Sequence, residues 1–177
     1  PGRIDPTNVA FASSRKPLAG EFTFRGQRVF VIANHFNSKG GDDALYGFTQ
    51  PPVLVTEAQR LQQAQVEAAF VSQLLAADPL ANIVVLGDLN DFEFSAPVGL
   101  LKAAGLNALI ETLPQEERYS YVFEGNSQTL DHIMVSGNLF SNRPFDYDVV
   151  HINAEFAAQI SDHDPQIVRL TLNDAPS

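Results

Sequence analysis

The chain has 177 residues, 45% of them hydrophobic, no cysteine and a formal net charge of −10. That suits one globular domain with a sizeable core, excludes disulfides and thiolate metal sites, and contains no apolar run long enough to span a membrane. The acidity argues against broad electrostatic adhesion to nucleic acid, but leaves room for a bound cation, which inverts the local field of an acidic site.

The opening Pro1-Gly2-Arg3-Ile4-Asp5-Pro6-Thr7-Asn8 reads as a linker. Strands are expected at 9–12, 21–25 and 28–36, the last two joined by a tight turn at Gly26-Gln27. Residues 37–52 form a long polar loop, a length that in compact domains is commonly functional. Thr56-Glu57-Ala58-Gln59 has the form of a capping box. It opens a helix to Ala77 with Leu61, Ala64, Ala68, Val71 and Leu75 on one face, and Asp78-Pro79 ends it. A strand to Asp88 follows, then a short helix over 97–105 with Gly105 as its C-cap. Two strands flank Gly125-Asn126, another lies near 148–152, and 166–172 is the last. The pattern predicts an α/β (α+β) fold with a mixed, mostly antiparallel sheet.

Ile83-Val84-Val85-Leu86 is a buried strand that stops abruptly at Gly87-Asp88-Leu89-Asn90-Asp91. A strand ending in acids and amides delivers oxygen ligands to a sheet rim, where hard cations and phosphates are held. Asp88 and Asn90 stand two apart and point the same way in extended geometry. Three further segments end in similar residues: Asn34-His35-Phe36-Asn37-Ser38-Lys39-Gly40, the stretch from Tyr119 to Ser136 with Asp131-His132, and Ser161-Asp162-His163-Asp164-Pro165.

These four segments, in this order, resemble the endonuclease/exonuclease/phosphatase superfamily, the DNase I-like metal-dependent phosphoesterases. The likeness runs from about Arg15 to Leu172 and is nearest to secreted bacterial nucleases, in which a Phe or Tyr follows the GDLND element. It implies part of a four-layer α/β/β/α sandwich, and a chain that is the C-terminal portion of such a domain, with the N-terminal half and its Glu metal ligand absent. It implies that Asp88 activates or orients the attacking water, that Asn90 contacts the scissile phosphate, and that His35 is the general acid. His163 contacts phosphate or is catalytic, and Asp131 orients it. Asp162, Asp88 and Asn90 are the implied ligands of Mg²⁺ or Mn²⁺, or of Ca²⁺. Arg15, Asn34 and Lys39 are candidates for substrate phosphate, with a solvated charge as the alternative for Arg15 and Lys39, and orientation of His35 or backbone pairing for Asn34.

Other residues read as structural. Asp91 suits a turn, Asp164 a structural carboxylate, and Asp42-Asp43 a solvated loop. His132 and His151 lie inside strand patterns, and alternation turns His132 away from Asp131. Tyr119, Tyr121 and Phe123 are expected in the core. The leading function is a metal-dependent phosphodiesterase acting on nucleic acid, with DNA as substrate. A phosphatase or phospholipase-type enzyme of the same superfamily, and a non-catalytic half-domain used for structure or binding, are the alternatives. The resemblance also implies an extracellular or periplasmic location, no membrane partner, pairing with the N-terminal half, or homodimerisation through an open sheet face.

Overall fold

A computed structural model describes residues 1–172. In chain order it contains β1 (Gly2–Arg3), a 3-10 turn (Val9–Phe11), β2 (Leu18–Phe24), β3 (Gln27–His35), α1 (Glu57–Ala77), β4 (Asn82–Asp88), α2 (Ala96–Ala103), β5 (Leu106–Ala108), two more 3-10 turns (Leu109–Thr112 and Gln115–Glu117), β6 (Tyr121–Phe123), β7 (Asn126–Gln128), β8 (Asp131–Ser136), α3 (Gly137–Asn142), β9 (Phe145–Val149) and β10 (Gln166–Leu170). Six strands form one sheet in the order β1-β2-β3-β4-β8-β5, and β9-β10 and β6-β7 form two separate two-stranded antiparallel sheets. Within the large sheet β3 and β4 run parallel and the other pairs antiparallel, which is the expected mixed, mostly antiparallel arrangement.

The apolar run of β4 explains its central place, because Ile83, Val84 and Val85 are buried on both faces of the sheet. On one face Ile32, Ile83, Val85 and Met134 pack against Ala64 and Val71 of α1 and Val98 and Leu101 of α2. On the other, Val84, Ile133, Val135 and Leu139 meet Phe145, Tyr147, Val168 and Leu170 of the β9-β10 pair. That second face is covered only in part. Leu18 pairs with Ala33 and Phe22 with Val29, and opposed residues share a face. Phe22 and Phe24 remain 58% and 55% exposed there.

Several local expectations are corrected. Residues 9–12 form no strand, because Asn8 accepts the Ala10 N–H at 3.0 Å and caps a 3-10 turn; Phe11 is buried and Val9 is not. The turn after β2 is Arg25-Gly26, both at positive φ, the pair a tight twisted hairpin needs. Thr56 makes no side-chain cap to α1; its hydroxyl accepts from Arg60 Nη1 at 2.5 Å instead. The Gln59 amide, expected to reach back, donates to Ala10 O and Ala12 O. The buried residues of α1 are Arg60, Gln63, Ala64, Glu67 and Val71, so the inward stripe is rotated from the purely apolar one and carries polar groups. The strand near 148–152 lies earlier, at Phe145–Val149, because Asp164 captures the N–H groups of Ile152, Asn153 and Ala154 at 2.7–3.0 Å.

Candidate active site

Strand register brings the first three groups together. His35 is the parallel partner of Asp88, and Asp88 is the antiparallel partner of Asp131. All three therefore stand on the partly covered face at one rim of the sheet. His35 Nε2 lies 3.4 Å from Asp88 Oδ2. His163 arrives from the segment before β10, held by a bridge to Tyr121 and by Asp164 N–H donating to Ser120 O at 2.7 Å. Its Nδ1 lies 2.5 Å from Asp131 Oδ2, and ligand atoms of Asp88, Asp131 and His163 all fall within 4.8 Å of one another.

The turn after β4 aims Asp88. Gly87 has φ +121°, and a Cβ there would sit 2.2 Å from the carbonyl oxygen of Asn34, so no side chain fits. Asn90, at φ 51°, donates its backbone N–H to Asp88 Oδ1 at 2.7 Å. Leu89 N–H bonds Leu130 O, and Phe36 N–H bonds Asp88 O, each at 2.9 Å. These bonds tie the ends of β3 and β8 to the turn.

Electrostatics link the groups. Burial raises the Asp88 carboxyl above its ordinary range, and the Asp131 charge raises it further, against the Asn90 N–H and the nearby His163 and His35. The Asp131 hydrogen bond raises His163; partial burial opposes this, and the charges of Asp131, Asp88 and Asp162 add to it. Ser120 Oγ donates to Asp131 Oδ2 at 2.7 Å, so a positioned hydroxyl, a carboxylate and an imidazole form one chain.

A sequence model described as the Endonuclease/Exonuclease/phosphatase family matches residues 3–164. The chain belongs to the endonuclease/exonuclease/phosphatase family. Among solved structures it is similar to truncated Caenorhabditis elegans TDP2, with a TM-score of 0.63, 18% identity, and coverage of 92% of this chain and 63% of that one. An endonuclease/exonuclease/phosphatase family protein from Leptotrichia buccalis C-1013-b gives 0.55, 14%, 91% and 55%. Sphingomyelinase C from Streptomyces griseocarneus gives 0.56, 18%, 90% and 58%. At these identities the likeness shows the DNase I-like fold. The chain spans less than two thirds of the length of these structures. No curated protein sequence matches it.

In this endonuclease/exonuclease/phosphatase chain the remaining expected residues divide. Arg15 is exposed and lines an open groove of about 470 Å³ with Arg3, Lys16, Ala33 and His35, so a basic flank adjoins the site. Asn34 turns its side chain away, donating from Nδ2 to Glu67 Oε1 at 2.8 Å. Lys39 Nζ sits between Asp91 at 3.5 Å and Asp42 at 3.8 Å and over the Phe92 ring. Asn90 is buried, its amide donating to Phe36 O at 3.2 Å. Asp162 is exposed and lies outside the close trio.

The structural readings are partly revised. Asp91 is no simple turn residue, nor is Asp42 a solvated one. Fully buried Arg60 donates to Asp91 Oδ2 at 2.7 Å, Asp42 Oδ2 at 2.9 Å and Ser38 O at 3.2 Å, pinning the loop after β3 onto the GDLND turn. His132 is buried, with Nε2 2.8 Å from Asp91 O. His151 Nδ1 lies 3.0 Å from Asp164. Tyr119, Tyr121 and Phe123 are not core: Phe123 is exposed, Tyr119 stacks on His151, and Tyr121 stands 4.8 Å from the His163 ring. The sequence pattern gives no role to Ser120, Arg60 or Glu67, and it places Tyr121 in the core. Only the sequence adjacency of Ser120 to the aromatic pair, and a charged residue on the inner stripe of α1, could have signalled them.

Members of this family typically depend on a divalent metal, and the donors here fit one in part. Asp88 and Asp131 face each other, and a cation held there would offset both the burial that raises Asp88 and the repulsion from Asp131 that adds to it. His163 Nδ1 is committed to Asp131, so the hard oxygen donors are the two carboxylates.

Proposed function

We propose that this chain carries the catalytic rim of a metal-dependent phosphodiesterase that hydrolyses nucleic acid. The observation behind it is the convergence of His35, Asp88, Asp131 and His163, from four separate segments, onto one rim. Asp88, raised by burial and by Asp131, accepts the proton of the attacking water or orients it. Asp131 holds His163 by Nδ1 and so leaves Nε2 for a phosphate oxygen. His35, next to Asp88, delivers a proton to the leaving oxygen. Asp88 and Asp131 would hold the cation, which supplies charge neutralisation at the phosphate. Arg15, with Arg3 and Lys16 beside His35, supports an anionic substrate entering along that groove. Plasmid DNA hydrolysis that needs Mg²⁺ or Mn²⁺ and is lost in Asp88→Ala and His163→Ala tests this reading.

A second part of the reading concerns the open sheet face. Phe22 and Phe24 beside Val29 and Val31 leave apolar strand surface bare, at about 25 cal/mol per Å². We infer that further sandwich layers cover it in the working enzyme, and that the chain alone self-associates there. Sedimentation of the chain decides: a homogeneous monomer with full turnover overturns it.

A further inference from the structure

Helix α1 buries a carboxyl group that has no counter-charge. Glu67 is completely buried between Gln63 and Val71 on the inward stripe. Its Oε1 accepts from Asn34 Nδ2 at 2.8 Å. Its Oε2 is buried without a partner, and so is Asn34 Oδ1. Burial pushes the Glu67 acid up to about 8, and the Asn34 bond offsets only part of that. Charged groups on the surrounding elements are engaged elsewhere. Arg60, on the same helix, serves Asp42 and Asp91. His35 on β3 and Asp88 on β4 face each other on the opposite side of the sheet. Buried His132 on β8, on the same face as Asn34, holds Asp91 O through Nε2, and burial favours its neutral form. Lys16, near the N-terminal turn, donates to Phe11 O and Ser14 O.

Two orphaned acceptor oxygens, on side chains already joined by one hydrogen bond, each lack a donor. We propose that Glu67 is a positioning residue, a neutral carboxylic acid whose O–H donates to Asn34 Oδ1 while Asn34 Nδ2 donates to Glu67 Oε1, closing a two-bond acid–amide pair. The pair satisfies both buried oxygens, which an ionised Glu67 leaves bare at high cost. Its consequence lies at the next residue. Side chains alternate along β3, so anchoring Asn34 in the helix layer sets His35 on the opposite face, toward Asp88. Asn34 is also the residue whose carbonyl leaves no room for a side chain at Gly87, so the pair holds β3 beside the turn that carries Asp88.

This inference rests on the reading of His35 as part of the site, and its test separates the two. Carboxyl ¹³C NMR of the unaltered chain should show Glu67 protonated at neutral pH. Titration in the ordinary Glu range overturns the pair, and needs no variant. Glu67→Gln retains a donor and an acceptor and should leave the His35 ring resonances, read at one fixed pH, at their original positions. Glu67→Leu keeps the bulk, loses both bonds, and should move them. Unmoved His35 resonances in Glu67→Leu overturn the positioning role. These results decide the inference whether or not DNA is cleaved; absence of hydrolysis overturns the functional reading alone.

Discussion

Asp131 Oδ2 accepts two hydrogen bonds at once, from Ser120 Oγ at 2.7 Å and from His163 Nδ1 at 2.5 Å. The carboxylate therefore fixes both the orientation of the imidazole and the nitrogen it presents. Asp131→Asn should reduce hydrolysis by at least about 10–100-fold, because it removes the carboxylate that orients His163 and one of the two that would hold the cation. It should also lower the His163 pKa, because the Asp131 bond is the largest cause of its rise. A group raised on folding stabilises below its unfolded pKa and loses that contribution as pH rises through the folded value. The stability advantage of the unaltered chain over Asp131→Asn should thus shrink as pH climbs above the ordinary histidine range, read by urea unfolding.

Gly87 should tolerate no side chain. Its φ of +121° and the 2.2 Å approach of a would-be Cβ to Asn34 O combine backbone strain with a clash against main chain. Gly87→Ala should cost more than about 3 kcal/mol or prevent folding, as measured by thermal unfolding.

Arg60 is the buried hub of the loop after β3. Removing one partner of a buried ion pair typically costs about 3–5 kcal/mol. Arg60→Ala should show a loss of that size, with hydrogen exchange accelerating across 37–56, because Asp42, Ser38 and Thr56 all lose a donor.

Asp164 anchors the segment that carries His163. Burial works to raise its pKa, but the His151 bond and three backbone N–H donors outweigh it and hold the carboxyl below the usual range. A depressed carboxylate contributes stability above its unfolded pKa and loses it as pH falls through the folded value. Asp164→Ala should cost at least about 2 kcal/mol at neutral pH, with the difference from the unaltered chain fading in acid.

Much of this was legible in the sequence, and the limits have physical causes. Strand ends rich in Asp, Asn and His point to one rim of the sheet, and the resemblance to the family, not the geometry, singles out His35, Asp88, Asp131 and His163 among them. Periodicity also found α1 and α2. It misjudged the inner stripe of α1, because Arg60 and Glu67 are polar residues buried through partners distant in sequence, Asp91 and Asn34. It read 9–12 as a strand because Asn8 caps through its side chain, a local bond that overrides apolar alternation. The resemblance offers Asn34 and Lys39 as phosphate candidates, while Glu67 and the Asp42-Asp91 pair engage them.

The central claim is that one rim, built by His35, Asp88, Asp131 and His163, hydrolyses phosphodiesters. The most direct measurement is plasmid cleavage by the protein with Mg²⁺ or Mn²⁺, beside Asp88→Ala and His163→Ala proteins whose folding is confirmed by circular dichroism. The account predicts metal-dependent cleavage that falls by at least about 100-fold in each variant, with unchanged spectra. Cleavage that persists in folded His163→Ala and Asp88→Ala proteins, or that is indifferent to chelator, would contradict it.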